Sequence, residues 1–477
     1  MIDINQYSNV SQRALVMQGG ASLGSYEAGV FKAIYEKITK NNDQNGQKDN
    51  KHFFDIVAGT SIGAIQGAIV VNYVVQNRKK GKSMYESWLG VDQILYDFWQ
   101  DVATLTWVEL DPTFPFRWNS FGYLYRDMAK TEAARRYYSV KELLMTGAKN
   151  MFSIPSTIPD KKFFDPVNTS YLYNNDPLRR LLENKYLKGF SLKTEPQEPR
   201  LLIVTVDVQE GTTVTFDSYA SKTEYGHKHV IEYPNGITID HVLASASIPV
   251  YYNFSKIEAK DSTRNFWDGA ILSNTPLREL IGQHNTFWKE KIEDKGEDIV
   301  LKSIWRNDDN EDQDNNNKDI KVPDIEKVYI VNLWPKREEQ IPIDHDGQID
   351  RQNDILYHNK TEYDEKVAIF ITDYIDLVKK IREIALENID ENKKAKLKND
   401  INDFLLNNYA KSKFRKGENR KYIDLLKGRF TINKITRIDR QEDEYATSNK
   451  WADFSYKTIN QLISDGYNQA KDQLKKE

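Results

Sequence analysis

An α/β fold with a mainly parallel sheet is what this 477-residue sequence predicts, and three observations carry it. The apolar runs Ala14 to Met17 and Phe53 to Ala58 each stop at a glycine turn. Each turn opens a stretch with helical spacing of apolar residues. Farther on, strand-like runs at Leu201 to Val208, Val214 to Phe216, Asn265 to Trp267 and Val328 to Leu333 are interleaved with helical ones, such as Ile239 to Ser247. Strands that alternate with helices pack as a sheet between helical layers.

In the first unit, Ala14-Leu15-Val16-Met17 leads through Gly19-Gly20 into Ser25 to Thr39, where Ala28, Phe31, Ile34, Tyr35 and Ile38 fall on one helical face. The second repeats the plan: Phe53 to Ala58, then Gly59-Thr60-Ser61-Ile62-Gly63, then an apolar helix to about Gln76. Residues 84–173 are dense in aromatics (Trp88, Phe98, Trp99, Trp107; Phe114, Phe116, Trp118, Phe121; Tyr137, Tyr138) and read as a helical insertion over the sheet, either a subdomain core or a lid. Residues 307–319, an acidic and amide-rich run, form a loop too polar to fold alone. An EF-hand needs a glycine where Gln313 stands and a glutamate where Asp319 stands, so no calcium loop is expected there. From 353 to 477 the chain turns helical and charged, with helices expected near Glu362 to Glu387, Lys393 to Asn408 and Ser448 to Lys475. The expected organisation is a domain over 12–335 followed by a helical extension over 353–477.

Composition excludes several classes. With 67 basic and 71 acidic residues the net charge is −4, which offers no field for gripping nucleic acid. The absence of cysteine removes disulfides, thiolate metal sites and a cysteine nucleophile. A polar N-terminus without a basic-then-apolar order argues for a cytoplasmic protein. The apolar stretch Gly63 to Val75 is interrupted by Gln66 and Asn72, so contact with a membrane is expected to be peripheral. Oligomeric state is open at this level.

Gly59-Thr60-Ser61-Ile62-Gly63 fits a nucleophile elbow, where a serine rides a strained strand-to-helix turn and small flanking residues avoid collision. Such a pentapeptide arises by chance about 0.1 times in a chain of this length, so the strand before it and the helix after it give it its weight. The upstream turn, Gly19-Gly20-Ala21-Ser22-Leu23-Gly24, offers backbone N–H groups to an anion. It lacks the Gly-Lys-Ser/Thr ending of a phosphate loop. Consecutive parallel strands place both turns at one sheet edge. Among the seven histidines, His52, His227, His229, His241, His284, His345 and His358, the best placed is His241. A carboxylate is the better base: Phe266-Trp267-Asp268-Gly269-Ala270 sets Asp268 at a strand end among apolar walls, where burial raises a carboxyl pKa.

These three motifs in this order, with Ser25 to Val30, Ala244 to Pro249 and Ser273-Asn274-Thr275-Pro276, resemble the patatin-like phospholipase family over roughly residues 12–335. The resemblance implies a three-layer α/β/α fold and a dyad of Ser61 as nucleophile and Asp268 as base. It implies oxyanion-hole N–H groups from Gly19, Gly20 and Ala21, and Gly59 and Gly63 flanking the elbow. It also implies lipid esters as substrates, with no metal and no organic cofactor. Ala21 replaces a third glycine and Leu23 a frequent arginine, which removes a cation suited to a phosphate headgroup; a subgroup with an Ala-Leu-Gly turn and a C-terminal extension is closer. A soluble-ester or thioester hydrolase, and a lipid-binding scaffold with an unused dyad, remain open alternatives.

Overall fold

The computed structural model of the chain describes residues 11–44, 52–113, 130–155, 171–226, 229–260, 262–305, 322–339, 341–413, 419–441, 445 and 447–476. The acidic run 307–319, together with Phe114, Phe116, Trp118 and Phe121, lies outside them. The chain forms two units, one of residues 13–277, 329–360 and 436–477, the other of 1–12, 278–328 and 361–435. The division expected at 335–353 therefore does not coincide with the units. Residues 436–477 belong to the sheet-bearing unit.

The sheet has strands β1 (Gln12–Met17), β2 (Ile56–Thr60), β3 (Arg200–Asp207), β4 (Thr212–Asp217), β5 (Ser255–Glu258), β6 (Thr263–Asp268), β7 (Ile325–Asn332) and β8 (Ile435–Asp439). Their order is β8-β7-β1-β2-β3-β6-β5, with β4 also on β3. β1 and β2 pair in parallel, as do β2 and β3; β4, β5 and β6 are antiparallel to their neighbours. The mixed, mainly parallel sheet between helical layers agrees with the predicted class. β2 and β3 are buried along their whole length, as expected of strands covered on both faces.

Helices α1 (Gly24–Gln44) and α2 (Ile62–Lys79) follow the two glycine turns. Fourteen of the eighteen α2 residues are buried, so the longest apolar stretch of the sequence is a central core helix. No helix among the described residues is long and apolar enough to cross a membrane. The remaining helices used below are α3 (Ile239–Ser245), α4 (His345–Tyr357), α5 (Glu362–Glu387), α6 (Glu391–Asn407) and α7 (Tyr456–Lys475).

α7 lies directly on α1. A Cβ at Gly29 would fall 2.0 Å from the Ile463 carbonyl oxygen, and one at Gly466 would fall 2.1 Å from that of Tyr26. Two glycines thus let the backbones touch, and Tyr26 donates to Gln469 at 2.7 Å beside them. Trp88, Phe98 and Trp99 of the aromatic-rich stretch are wholly buried in the same core. The smaller unit has its own centre: the Trp305 indole donates to Asn402 at 2.9 Å while the Arg382 guanidinium lies 4.5 Å over its ring.

Candidate active site

Ser61 sits where β2 becomes α2, with φ 56° and ψ −122°, in the left-handed region that non-glycine residues seldom occupy. Space dictates its glycine neighbours. A Cβ at Gly59 would lie 2.3 Å from the Gly63 backbone, and one at Gly63 would lie 2.5 Å from the Met17 carbonyl oxygen. The strained turn is held from outside. The Ser61 N–H donates to the Ser245 hydroxyl at 2.9 Å, and that hydroxyl donates to the Val204 carbonyl at 2.6 Å. Thr60 is tied in turn to the Ser273 carbonyl at 2.9 Å.

Asp268 ends β6 and reaches the same place through strand register. Thr60 pairs with Val204 and Asp268 with Thr205. Since β4 occupies the other side of β3 from Leu202 to Asp207, β2 and then β6 share the remaining side. The first residues past β2 therefore meet the last residue of β6. Gly269 makes the junction fit, since a Cβ there would lie 2.3 Å from the Val204 carbonyl oxygen and 2.9 Å from the Thr60 methyl. The Asp268 N–H donates to the Ser247 carbonyl at 2.9 Å, and its Oδ1 accepts from the Ala270 N–H at 2.8 Å. Burial pushes the Asp268 carboxyl up to about 7, against the downward pull of the Ser61 hydroxyl and the Ala270 N–H.

The glycine turn closes over Ser61. Gly19 lacks room for a side chain, because a Cβ would be 2.5 Å from Asn274 Oδ1 and 3.0 Å from the Ser61 Cβ. Its N–H donates to the Asn274 carbonyl at 3.2 Å and its carbonyl accepts the Trp334 indole at 2.7 Å. This corrects one expectation. The Gly19 N–H is already committed, so Gly19 provides close approach rather than a free donor. The Gly20 and Ala21 N–H groups have no acceptor among the described residues. Ala21 takes φ 46°, the conformation a third glycine would adopt without strain. Beneath the turn, Gln18 binds Glu27, Thr275, Tyr357, Leu333 and Trp334. Burial holds the Glu27 carboxyl well above its ordinary range.

Ser61, Asp268, Gly20 and Ala21 face a common cavity of about 300 Å³. A family model described as patatin-like phospholipase matches residues 15–281, which span both turns and Asp268. The chain belongs to the patatin-like phospholipase family. A second model, described as patatin phospholipase, matches residues 385–477. Membership makes this chain a hydrolase acting on lipid esters. No curated protein matches the sequence. The crystal structure of VipD from Legionella pneumophila aligns over 98% of this chain and 67% of its own, at 10% identity and a TM-score of 0.31.

In this patatin-like chain the remaining cavity walls come in part from the Ala244 to Pro249 motif and otherwise from segments that sequence reasoning did not single out. One wall is Ile248, Pro249, Tyr251 and Ile271; the other is Trp334, Ile349, Tyr357 and Trp451. Two aromatic pairs brace them, Tyr251 with Trp451 at 4.7 Å and Trp334 with Tyr357 at 5.3 Å between ring centroids. Buried Lys450 fixes the second wall by binding Asp350 at 3.0 Å and Asp354 at 2.6 Å, both on α4. The sequence held one signal for this: two aspartates four apart on a helix present both carboxylates on one face. Among the described residues, 84–173 contributes nothing to the cavity.

No histidine among the described residues lines the cavity. His241, the best placed by sequence, caps α3 by accepting from the Thr238 N–H at 3.0 Å, and burial depresses its pKa to about 4. His52 likewise accepts the Trp88 indole at 3.1 Å inside the core. His227 lies outside the described residues. No cluster of potential metal ligands occurs among the described residues.

Proposed function

We propose that this protein hydrolyses fatty-acyl ester bonds of lipids through a Ser61–Asp268 dyad and an acyl-enzyme. Asp268 takes the Ser61 hydroxyl proton as Oγ attacks the ester carbonyl. The Gly20 and Ala21 N–H groups hold the resulting oxyanion, each well-aimed donor contributing about 2.7–4 kcal/mol in the transition state. The proton passes from Asp268 to the departing alcohol as the C–O bond breaks. Water, deprotonated by Asp268, then attacks the acyl-serine, and the bond to Ser61 Oγ breaks as Asp268 returns the proton to that oxygen, releasing the fatty acid.

The observation that carries this reading is the buried Asp268 carboxyl, raised to about 7 by burial and lining the same cavity as the serine that occupies the strained turn. A carboxylate with that affinity for a proton accepts one from an alcohol far better than a solvated aspartate does. The apolar walls supply a medium for an acyl chain. Val250 and Leu272 are exposed beside the cavity-lining Tyr251 and Ile271, which supports peripheral contact with a lipid surface. The reaction draws on no metal or organic cofactor in this scheme.

The test is fatty-acid release from phospholipid or neutral-lipid vesicles by the wild type and by Ser61→Ala. Loss of release from a variant that still folds is expected. Release at the wild-type rate removes Ser61 from the mechanism. Comparison with short-chain soluble esters and thioesters separates a lipid enzyme from a hydrolase of soluble substrates.

A further inference from the structure

The long helix α5 of the smaller unit carries apolar side chains on two sides. One side is the ordinary core face, with Ala368, Ile375 and Leu386 buried. On the other, Tyr363, Phe370, Leu377 and Ile384 recur every seven residues. Val367, Tyr374 and Ile381 fall between them, so apolar positions alternate by four and three from 363 to 384. All but Tyr374 are exposed, from 37% at Val367 to 75% at Tyr363. At 1.5 Å per residue this stripe is about 32 Å long. α7 shows the contrast, since its own apolar stripe, including Ile459, Leu462 and Leu474, is buried against the body of its unit.

We infer that α5 pairs with α5 of a second copy of this chain as an antiparallel two-helix coiled coil. A four-three apolar repeat sustained for three heptads is the pattern of a coiled-coil seam. The charges beside it choose the partner and the direction. Lys366, Asp373, Lys380 and Glu387 occur once per heptad along one flank, all exposed and alternating in sign. When α5 meets its own copy antiparallel, centred between Tyr374 and Leu377, Lys366 faces the copy's Glu387 and Asp373 faces the copy's Lys380. Both contacts along this flank then join opposite charges, and symmetry doubles each one.

The same register sets Val367 against Ile384, Phe370 against Ile381 and Tyr374 against Leu377 in the seam. On the other flank it sets Ile371 against Val378. A parallel pairing instead places the charged flank opposite Ile371, Val378 and Ala385, where none finds a counter-charge. Lys380 also reaches Glu383 on its own helix at 2.8 Å, an exposed contact that is exchanged at little cost. A lipid surface would use the apolar stripe but gives no reason for the alternating, self-complementary charges.

The experiment uses the full chain. Sedimentation equilibrium is expected to give twice the 55.6 kDa chain mass. Leu377→Asp with Ile381→Asp is expected to give the single mass with unchanged helical circular dichroism. Lys366→Glu with Lys380→Glu is expected to weaken dimerisation by roughly tenfold or more, and adding Asp373→Lys with Glu387→Lys is expected to restore it. The chain lacks cysteine, so a nitroxide on Lys366→Cys is unique. Its two copies should lie about 28 Å apart along the axis if antiparallel and about 10 Å apart if parallel. A monomeric wild type at the highest soluble concentration overturns the proposal. So does a dimer that survives the two aspartates, a charge exchange that restores nothing, or the short spin–spin distance. Vesicle binding lost with the two aspartates in a chain that is monomeric throughout assigns the stripe to lipid and overturns it equally.

Discussion

Ser61 and Asp268 meet because β2 and β6 share one side of β3: Thr60 lies opposite Val204, and Asp268 lies opposite the next residue, Thr205. Two segments more than two hundred residues apart in sequence are thereby set in line by ordinary sheet register. A one-residue slip of β6 would turn the Asp268 side chain to the opposite face of the sheet.

In the proposed mechanism the pKa of Asp268 sets the pH dependence. A base titrating at about 7 makes kcat/KM rise as pH climbs toward 7 and level off above it. Stability moves the other way. The folded-state value lies above the ordinary 3.8, so the folded protein holds this proton more tightly, and stability falls as pH rises from about 4 through 7. The full span corresponds to roughly 4 kcal/mol. Asp268→Asn is expected to abolish turnover and to unfold at a higher temperature than wild type at pH 8, with the difference closing near pH 4. Equal melting temperatures at pH 8 would count against a buried, ionisable Asp268.

Gly19→Ala tests the closeness of the glycine turn. The new methyl would collide with Asn274 Oδ1 and crowd the Ser61 Cβ, and Asn274 is held in place by its bond to the Tyr357 carbonyl at 2.7 Å. A displacement near 1 Å at the reacting centre corresponds to a loss of about a hundredfold in kcat. Steady-state kinetics on a soluble chromogenic ester reads it, and unchanged kcat contradicts the crowding.

Ser245→Ala removes the hydroxyl that receives the Ser61 N–H. A buried donor left without an acceptor costs about 1–3 kcal/mol. The elbow loses its tether as well, so kcat is expected to fall more than KM changes. Ser245→Thr, which keeps the hydroxyl, is expected to recover part of the rate. Thermal melts and kinetics on the pair check both halves.

Lys450→Met leaves Asp350 and Asp354 buried without their cation. Breaking a buried ion pair from one side costs about 3–5 kcal/mol. Because α4 and the Lys450 segment carry Ile349, Tyr357 and Trp451 of the cavity wall, the same change is expected to alter the chain-length preference for ester substrates. Burial raises the Asp350 carboxyl to about 6 despite Lys450, so lowering the pH to 5 should narrow the stability gap between variant and wild type. Chemical denaturation at the two pH values measures it.

The sequence made the pieces of the candidate site legible because each needs a distinctive local conformation. A serine between glycines at a strand end, a glycine pair one βα unit upstream and an Asp-Gly step after a strand all announce turns that few residues tolerate. What stayed hidden depends on long-range packing. Trp334, Tyr357 and Trp451 enter the cavity from segments whose local pattern reads as strand end or charged helix. The Gly19 N–H looks free in sequence and is taken by the Asn274 carbonyl. Trp88, Phe98 and Trp99 are core residues, a role that their local pattern does not separate from that of a lid. The unit boundary was misplaced because α7 packs on α1 through Gly29 and Gly466, two residues with no side chain to advertise a contact.

The most direct test of the dyad is covalent labelling by a fluorophosphonate probe, located by peptide mass spectrometry and followed against pH in the wild type and in Asp268→Asn. A single adduct on Ser61, with a rate rising to a plateau through about pH 7 and lost in the variant, is the predicted result. An adduct on another residue, or labelling of Ser61 in Asp268→Asn at the wild-type rate, would contradict it.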